Sequence, residues 1–259
     1  NVLDVTLGAG VAPPAPSLER SLITNSSCGL CGKESIDAVR IKSTFAVADD
    51  AVRVDAQSLT TFAERLRAAG YRTMMSGKWH VGGDLWATRV NSWRPGEPGQ
   101  PTPLQKGFDR FYGILDGVTN HFSPHSIFED DHPVAVSPTD FYFTDAITDK
   151  AIGMVEEAVL KDQPFFLYLA HAAPHWPIQA HEEDMARYDG VYSKGWDAVR
   201  TARHEEMRSR GVLQHPWAIS PRDPEAPAWS DTRHRDWEAS RMAVYAAMVD
   251  RMDQSIGRV

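Results

Sequence analysis

Three short stretches hold the side chains able to do chemistry in this 259-residue sequence. In Gly77-Lys78-Trp79-His80, a lysine and a histidine stand two positions apart. On extended backbone they point to the same side, and Gly77 leaves room for an anion to approach closely. The plain alternative is an exposed turn, since lysine is mostly a surface residue. In Pro174-His175-Trp176-Pro177 a histidine sits between two prolines, so its backbone is rigid and its ring can be held for proton transfer. The third stretch is Cys28-Gly29-Leu30-Cys31-Gly32, a C-x-x-C pair. Two thiols this close can stabilise a thiolate and resolve a persulfide, and the flanking glycines expose them. Zinc is the rival reading for the pair, although no histidine lies nearby in sequence to complete a four-ligand site.

Elements that position these residues can be read from periodicity. Leu59, Phe62, Ala63, Leu66 and Ala69 recur at helical spacing, Gly70 supplies a stop, and Tyr71 to Met75 reads as a strand leading into Lys78 and His80. The same grammar returns with a helix through Ile147, Ala151, Met154, Val155, Ala158 and Val159, a turn at Lys161 to Pro164, and a strand from Phe165 to Ala170 that runs into the His175 loop. Alternation of this kind predicts an α/β fold, a mostly parallel sheet flanked by helices with ligands gathered beyond the carboxyl ends of strands. A last helix is expected from about Arg241 to Ile256, ended by Gly257, and the strand that should follow it implies that the chain stops inside a domain. Asp37 to Val54 alternates as short strands do, and the prolines of Gly10 to Pro16 make that stretch a loop. Val90 to Pro103 and Gln214 to Trp229, rich in Pro and Trp, read as ordered loops over a site. The pair Asp130-Asp131 reads as a solvated loop.

Composition narrows the function classes. The formal net charge is -8, with no long basic stripe, which argues against nucleic acid as a partner. Apolar runs such as Phe165 to Ala170 fall far short of the roughly 20 residues of a membrane helix. The first residue is Asn1 and no export signal is visible, so the compartment stays open. Two cysteines are too few and too close for a disulfide framework.

The run Ala69 to Gly82 resembles the second signature of the sulfatases, with its G-Y-x-[ST]-x-x-x-G-K-x-H core carried by Gly70, Tyr71, Thr73, Gly77, Lys78 and His80. Gly107-Phe108-Asp109, Pro164 to Tyr168, Ala173 to Pro177, Gly195-Trp196-Asp197 and Tyr245 to Asp253 follow in the family's order. The resemblance implies an alkaline-phosphatase-like α/β fold, bound calcium, and hydrolysis of a sulfate monoester on a sulfated small molecule or glycan. It further implies that Lys78 and His80 bind the sulfate and orient the formylglycine hydrate that attacks sulfur, and that His175 protonates the departing alcohol. The family's formylglycine arises from a C/S-x-P-x-R motif, and no such sequence occurs in the chain. Its metal-binding aspartates have no convincing counterpart, since Asp49-Asp50 stands in a different context, and no metal ligand is assigned. The fold is thus expected to be incomplete, and the chain inactive by itself.

Asn25 to Lys33, with Arg20 to Thr24 before it and Ser35-Ile36-Asp37 after it, is similar to a different family, the formate dehydrogenase accessory sulfurtransferases. That resemblance implies a partial cytidine-deaminase-like segment of cytoplasmic type. In it Cys28 would carry a persulfide beside Cys31, taking sulfur from a cysteine desulfurase for the molybdenum cofactor of formate dehydrogenase. The sequence therefore divides into 1–65, sulfurtransferase-like, and 66–259, sulfatase-like, with a seam within Phe62 to Ala69. Three functions follow as expectations: a sulfatase-type hydrolase, a sulfur carrier, or a sulfate-binding remnant without turnover.

Overall fold

A computed structural model describes residues 55, 58, 60–81, 95–137, 139–213 and 215–259. Cys28, Cys31 and the strands expected over Asp37 to Val54 lie outside the described residues. By contacts the chain separates into two units: a sheet unit, Val54–Gln179 with Met248–Val259, and a second whose described residues fall within Ala180–Ala247.

The sheet unit is built on β1 (Arg72–Lys78), whose five central residues are all buried, as expected of a strand covered on both faces. It pairs in parallel with β2 (Arg110–Ile114) on one side and β5 (Phe165–Ala170) on the other. The short β3 (Ile127–Glu129) and β4 (His132–Val134) add antiparallel, giving the order β4-β3-β2-β1-β5. Successive side chains of β1 alternate between two cores. Met74 packs with Phe143, Ile147 and Met154 of α2 (Phe143–Leu160), and Met75 packs with Phe108, Phe111 and Ala63, the last from α1 (Phe62–Ala68).

Buried polar groups on β1 are satisfied and bind its neighbours to it. Ser76 Oγ donates to the Ile147 carbonyl at 2.6 Å, and Thr73 Oγ1 donates to the Gly107 carbonyl at 2.7 Å. Asp109 accepts from the Thr73 amide at 3.0 Å, so the Gly107-Phe108-Asp109 motif serves the framework here.

Three expectations shift. Strand β1 runs on to Lys78 rather than stopping at Met75, because Ser76, Gly77 and Lys78 keep their register against β2. The last helix, α5 (Arg235–Arg258), begins six residues before Arg241 and passes through Gly257. Asp130 is not simply solvated. At φ 56° it makes the β3–β4 turn, a backbone state aspartate tolerates, and it accepts from Arg110 Nε at 3.2 Å and the Phe111 amide at 2.9 Å.

The end of α5 is fastened to the start of α2 by a two-pronged ion pair, Arg251 Nε to Asp145 Oδ1 at 2.9 Å and Nη2 to Oδ2 at 2.7 Å. Both side chains are about three-quarters buried, at 23% and 24% exposure. Arg251→Ala should therefore lower unfolding stability by about 1–3 kcal/mol, read by urea titration, because it strands a part-buried carboxylate. An unchanged midpoint would show the pair to be idle.

In the second unit, α3 (Glu182–Ala186) and α4 (Gly195–Ser209) precede a long loop. The Gly195-Trp196-Asp197 motif holds that loop. A Cβ on Gly195 would lie 2.1 Å from the Trp229 indole, Trp196 Nε1 donates to the Pro227 carbonyl at 3.1 Å, and Asp197 accepts from the Trp229 amide at 2.8 Å.

Candidate active site

The carboxyl ends of β2, β1 and β5 come together at glycine. Gly113 is in register with Gly77, and Gly77 with Ala170. A Cβ on Gly77 would stand 1.9 Å from the Ala170 carbonyl oxygen, and one on Gly113 would stand 1.8 Å from that of Gly77. No other residue type allows this approach, and Lys78 follows directly from it.

Pairing to β2 continues beyond the strand, since the Trp79 amide donates to the Ile114 carbonyl at 2.9 Å and the His80 amide to that of Leu115 at 3.1 Å. Trp79 turns into the core, edge-on to Phe108 at 6.2 Å, and its indole Nε1 donates to the Pro101 carbonyl at 2.7 Å. His80 departs from the extended backbone the sequence implied and takes φ 49°.

His175 stands beyond the end of β5. Its amide donates to the Ala172 carbonyl at 2.9 Å, and its Nδ1 lies 2.6 Å from the Trp176 carbonyl. A carbonyl only accepts, so Nδ1 carries hydrogen there and Nε2 is left to exchange a proton. Buried His121 braces this loop, with Nε2 at 3.4 Å from the His175 carbonyl and its amide donating to Gln179 Oε1 at 2.8 Å. Tyr142 Oη donates to the Gln179 carbonyl at 2.9 Å.

The fields of these groups overlap. His80 is held below the usual histidine pKa by burial first, then by the charges of Lys78 and His175, while Asp116 pulls it the other way. Lys78, His80 and His175, all expected from sequence, thus stand at or beyond the carboxyl ends of adjacent paired strands. Burial also lowers the Lys78 ammonium pKa. Asp116 and His121 were not read from the sequence. The signal available was Leu115-Asp116-Gly117, a carboxylate and a glycine directly after a parallel strand.

Burial likewise lowers His121 and His171, whose ring nitrogens include three with no hydrogen-bond partner among the described residues. Lowered folded values mean that the unfolded chain takes up protons first on acidification. The stability these groups give is present above their unfolded pKa, about 6.5, and is lost as pH falls toward the folded values. Melting temperature should therefore fall as pH drops below about 6.5, with a shallower slope in His171→Leu. Equal slopes in both proteins would exclude His171 from that loss.

Comparison with known proteins follows from this geometry. The family model described as Sulfatase matches residues 37–259. The chain belongs to the sulfatase family. The arylsulfatase of Klebsiella aerogenes is 32% identical over 211 residues, 77% of this chain and 42% of that protein. An uncharacterised sulfatase of Schizosaccharomyces pombe is 32% identical over 214 residues, 76% of this chain and 36% of that protein. The chain spans less than half the length of either relative. A separate similarity, 48% identity over 69 residues, links it to the sulfur carrier protein FdhD of Mycolicibacterium paratuberculosis, covering 27% of this chain and 25% of that protein. Among solved structures, the putative sulfatase yidJ of Bacteroides fragilis superimposes with a TM-score of 0.49 and 17% identity over 76% of this chain and 38% of its own.

Sulfatase membership accords with the mostly parallel, helix-flanked sheet, the alkaline-phosphatase-like arrangement expected; the cytidine-deaminase-like segment lies outside the described residues. Sulfatases generally use calcium and formylglycine. Among the described residues no group of three or more His, Cys, Asp or Glu side chains could hold a metal ion, and no residue is assigned to calcium. Among them, too, no helix is long and apolar enough to cross a membrane.

Proposed function

We propose that this sulfatase chain recognises sulfate monoesters and holds the proton donor for their cleavage. Lys78 and His80 bind the sulfate oxygens, and His175 gives a proton from Nε2 to the departing alcohol oxygen. One observation carries the reading: Lys78 ends β1, the His80 amide hangs from Leu115 just past β2, and His175 follows β5, so all three stand at or beyond the carboxyl ends of adjacent parallel strands. Fixed cations offset charge gathering on a sulfate, and an alkoxide leaving group calls for an acid titrating near neutrality. Since the sequence contains no C/S-x-P-x-R motif, no nucleophile is assigned, and for the chain by itself the reading is binding without turnover. The ligand class is a sulfated small molecule or glycan.

Calorimetry with phenyl sulfate tests it, alongside hydrolysis of 4-nitrophenyl sulfate. Saturable binding weakened in Lys78→Ala is expected, with phenol release absent. Release abolished by His175→Ala would instead establish a full hydrolase, and no binding at all would sink both versions.

The similarity to FdhD favours a second reading for residues 1–65, with 66–259 as the sulfatase part. There the Cys28 thiolate attacks the outer sulfur of a desulfurase persulfide, forming a Cys28 persulfide and freeing the donor's thiolate. Cys31 is its neighbour, and formate dehydrogenase is the eventual recipient. Mass spectrometry after incubation with a cysteine desulfurase should show one added sulfur, absent in Cys28→Ala. An unchanged mass would exclude this reading.

A further inference from the structure

His80 is gripped by a single stretch of chain, the three residues that follow β2. Its backbone amide donates to the Leu115 carbonyl at 3.1 Å. Its ring lies against Gly117 so closely that a Cβ there would stand 2.5 Å from Nε2, 2.6 Å from Cε1 and 2.9 Å from Cδ2. Between these two contacts stands Asp116, the one negative group among the charges acting on the ring; Lys78 and His175 are the positive ones. Asp116 is itself tethered, because its Oδ2 accepts from Ser126 Oγ at 2.7 Å and lies 3.0 Å from His125 Nε2.

We infer that Asp116 and Gly117 are positioning residues for His80: Gly117 seats the ring, and Asp116, tied to His125 and Ser126, keeps a fixed negative charge beside it. The inference rests on the proposed role of His80 in sulfate binding, but the seating itself is a separate matter of shape and charge. Gly117 carries no positive φ in this structure, so what demands glycine is the ring above it and not the backbone. Three heavy atoms of one imidazole occupy the space a methyl group would need, so a side chain at Gly117 would push the His80 ring out of its present place. Tethering matters to the charge. An unattached carboxylate would swing toward water, whereas one that accepts two hydrogen bonds through the same oxygen keeps its distance from the ring. His125 and Ser126 come directly before β3, so the seat is built from both ends of one loop, 115–126.

Three variants of the full chain test this, each read by NMR titration of the His80 ring, assigned through His80→Gln, and by calorimetry with inorganic sulfate. Gly117→Ala should change the His80 ring shifts and weaken sulfate binding roughly tenfold, with the melting temperature kept close to that of the unaltered protein. Asp116→Asn should lower the His80 titration midpoint, since it removes the only charge that favours the protonated ring, and Asp116→Glu should restore it. A purely structural role for the loop would move the melting temperature and leave the titration alone. Unaltered ring shifts in Gly117→Ala, or an unmoved midpoint in Asp116→Asn, overturns the inference. Should Gly117→Ala fail to fold, Asp116→Asn decides. Should the unaltered protein bind no sulfate, the proposed function falls, and the two ring titrations still decide the seating.

Discussion

Gly77→Ala is expected to abolish folding. The new methyl carbon would lie 1.9 Å from the Ala170 carbonyl oxygen, a contact far inside the 3.0 Å that real Cβ atoms respect. Neither side can yield cheaply. Gly77 is at φ 126°, paired in parallel with both Gly113 and Ala170, and relief would require parting β1 from β5 at the point where the two strands deliver Lys78 and the His175 loop. The cost should exceed about 4 kcal/mol, comparable with the whole stability of many domains. Soluble yield and the circular dichroism melt check it. Gly153→Ala is the matching control: no atom lies within 4 Å of its Cβ position, it sits exposed in α2, and alanine there should raise stability by about 1 kcal/mol. If both variants melt alike, the crowding at the strand ends is not what it appears from the geometry.

Lys78→Ala should weaken phenyl sulfate binding by roughly 10- to 150-fold, the equivalent of one charge-assisted hydrogen bond of about 1.5–3 kcal/mol. The pH dependence gives the same residue a second signature. Burial lowers the Lys78 ammonium pKa, so its positive charge is lost at a lower pH than that of a free lysine, and affinity should decline before pH reaches about 10.4. On the acid side, burial, Lys78 and His175 together delay protonation of His80, so affinity should strengthen only below about pH 6.5. Calorimetry across this range separates the two limbs. The alkaline limb should vanish in Lys78→Ala and the acid limb in His80→Gln, while identical profiles in all three proteins would remove both side chains from the anion's surroundings.

The parts of the fold legible in sequence were those whose burial leaves a period. Helix α2 reads from Ile147, Ala151, Met154 and Ala158, all buried on one side, whereas β5, whose aromatic and leucine run looks like a buried strand, buries only Ala170 and leaves Phe165 and Tyr168 exposed. Helix α4 left a fainter trace: its one buried residue is Gly195, and its apolar positions Trp196, Val199 and Ala202 are few among charged neighbours. The β3–β4 hairpin, two strands of three residues each, is too short for alternation to register, and Asp130 hid its contact with Arg110, twenty residues earlier in the chain. The site divides in the same way. Lys78, His80 and His175 lie in compact motifs, whereas the His121 amide reaches its Gln179 partner across 58 positions, a pairing that only the folded chain reveals.

The two hydrogen bonds that flank the Lys78–His80 corner have a bearing on how such a protein can diversify. Trp79 Nε1 ties the corner to the Pro101 carbonyl, and the His80 amide ties it to Leu115, so the chain is clamped immediately before and after the stretch between Val81 and Pro101. A stretch whose ends are fixed by their own bonds can be lengthened, shortened or exchanged at a closure cost that grows only slowly with its length. The Lys78–His80 corner would thereby keep its pairing to the end of β2 whatever length of chain joins it to Pro101.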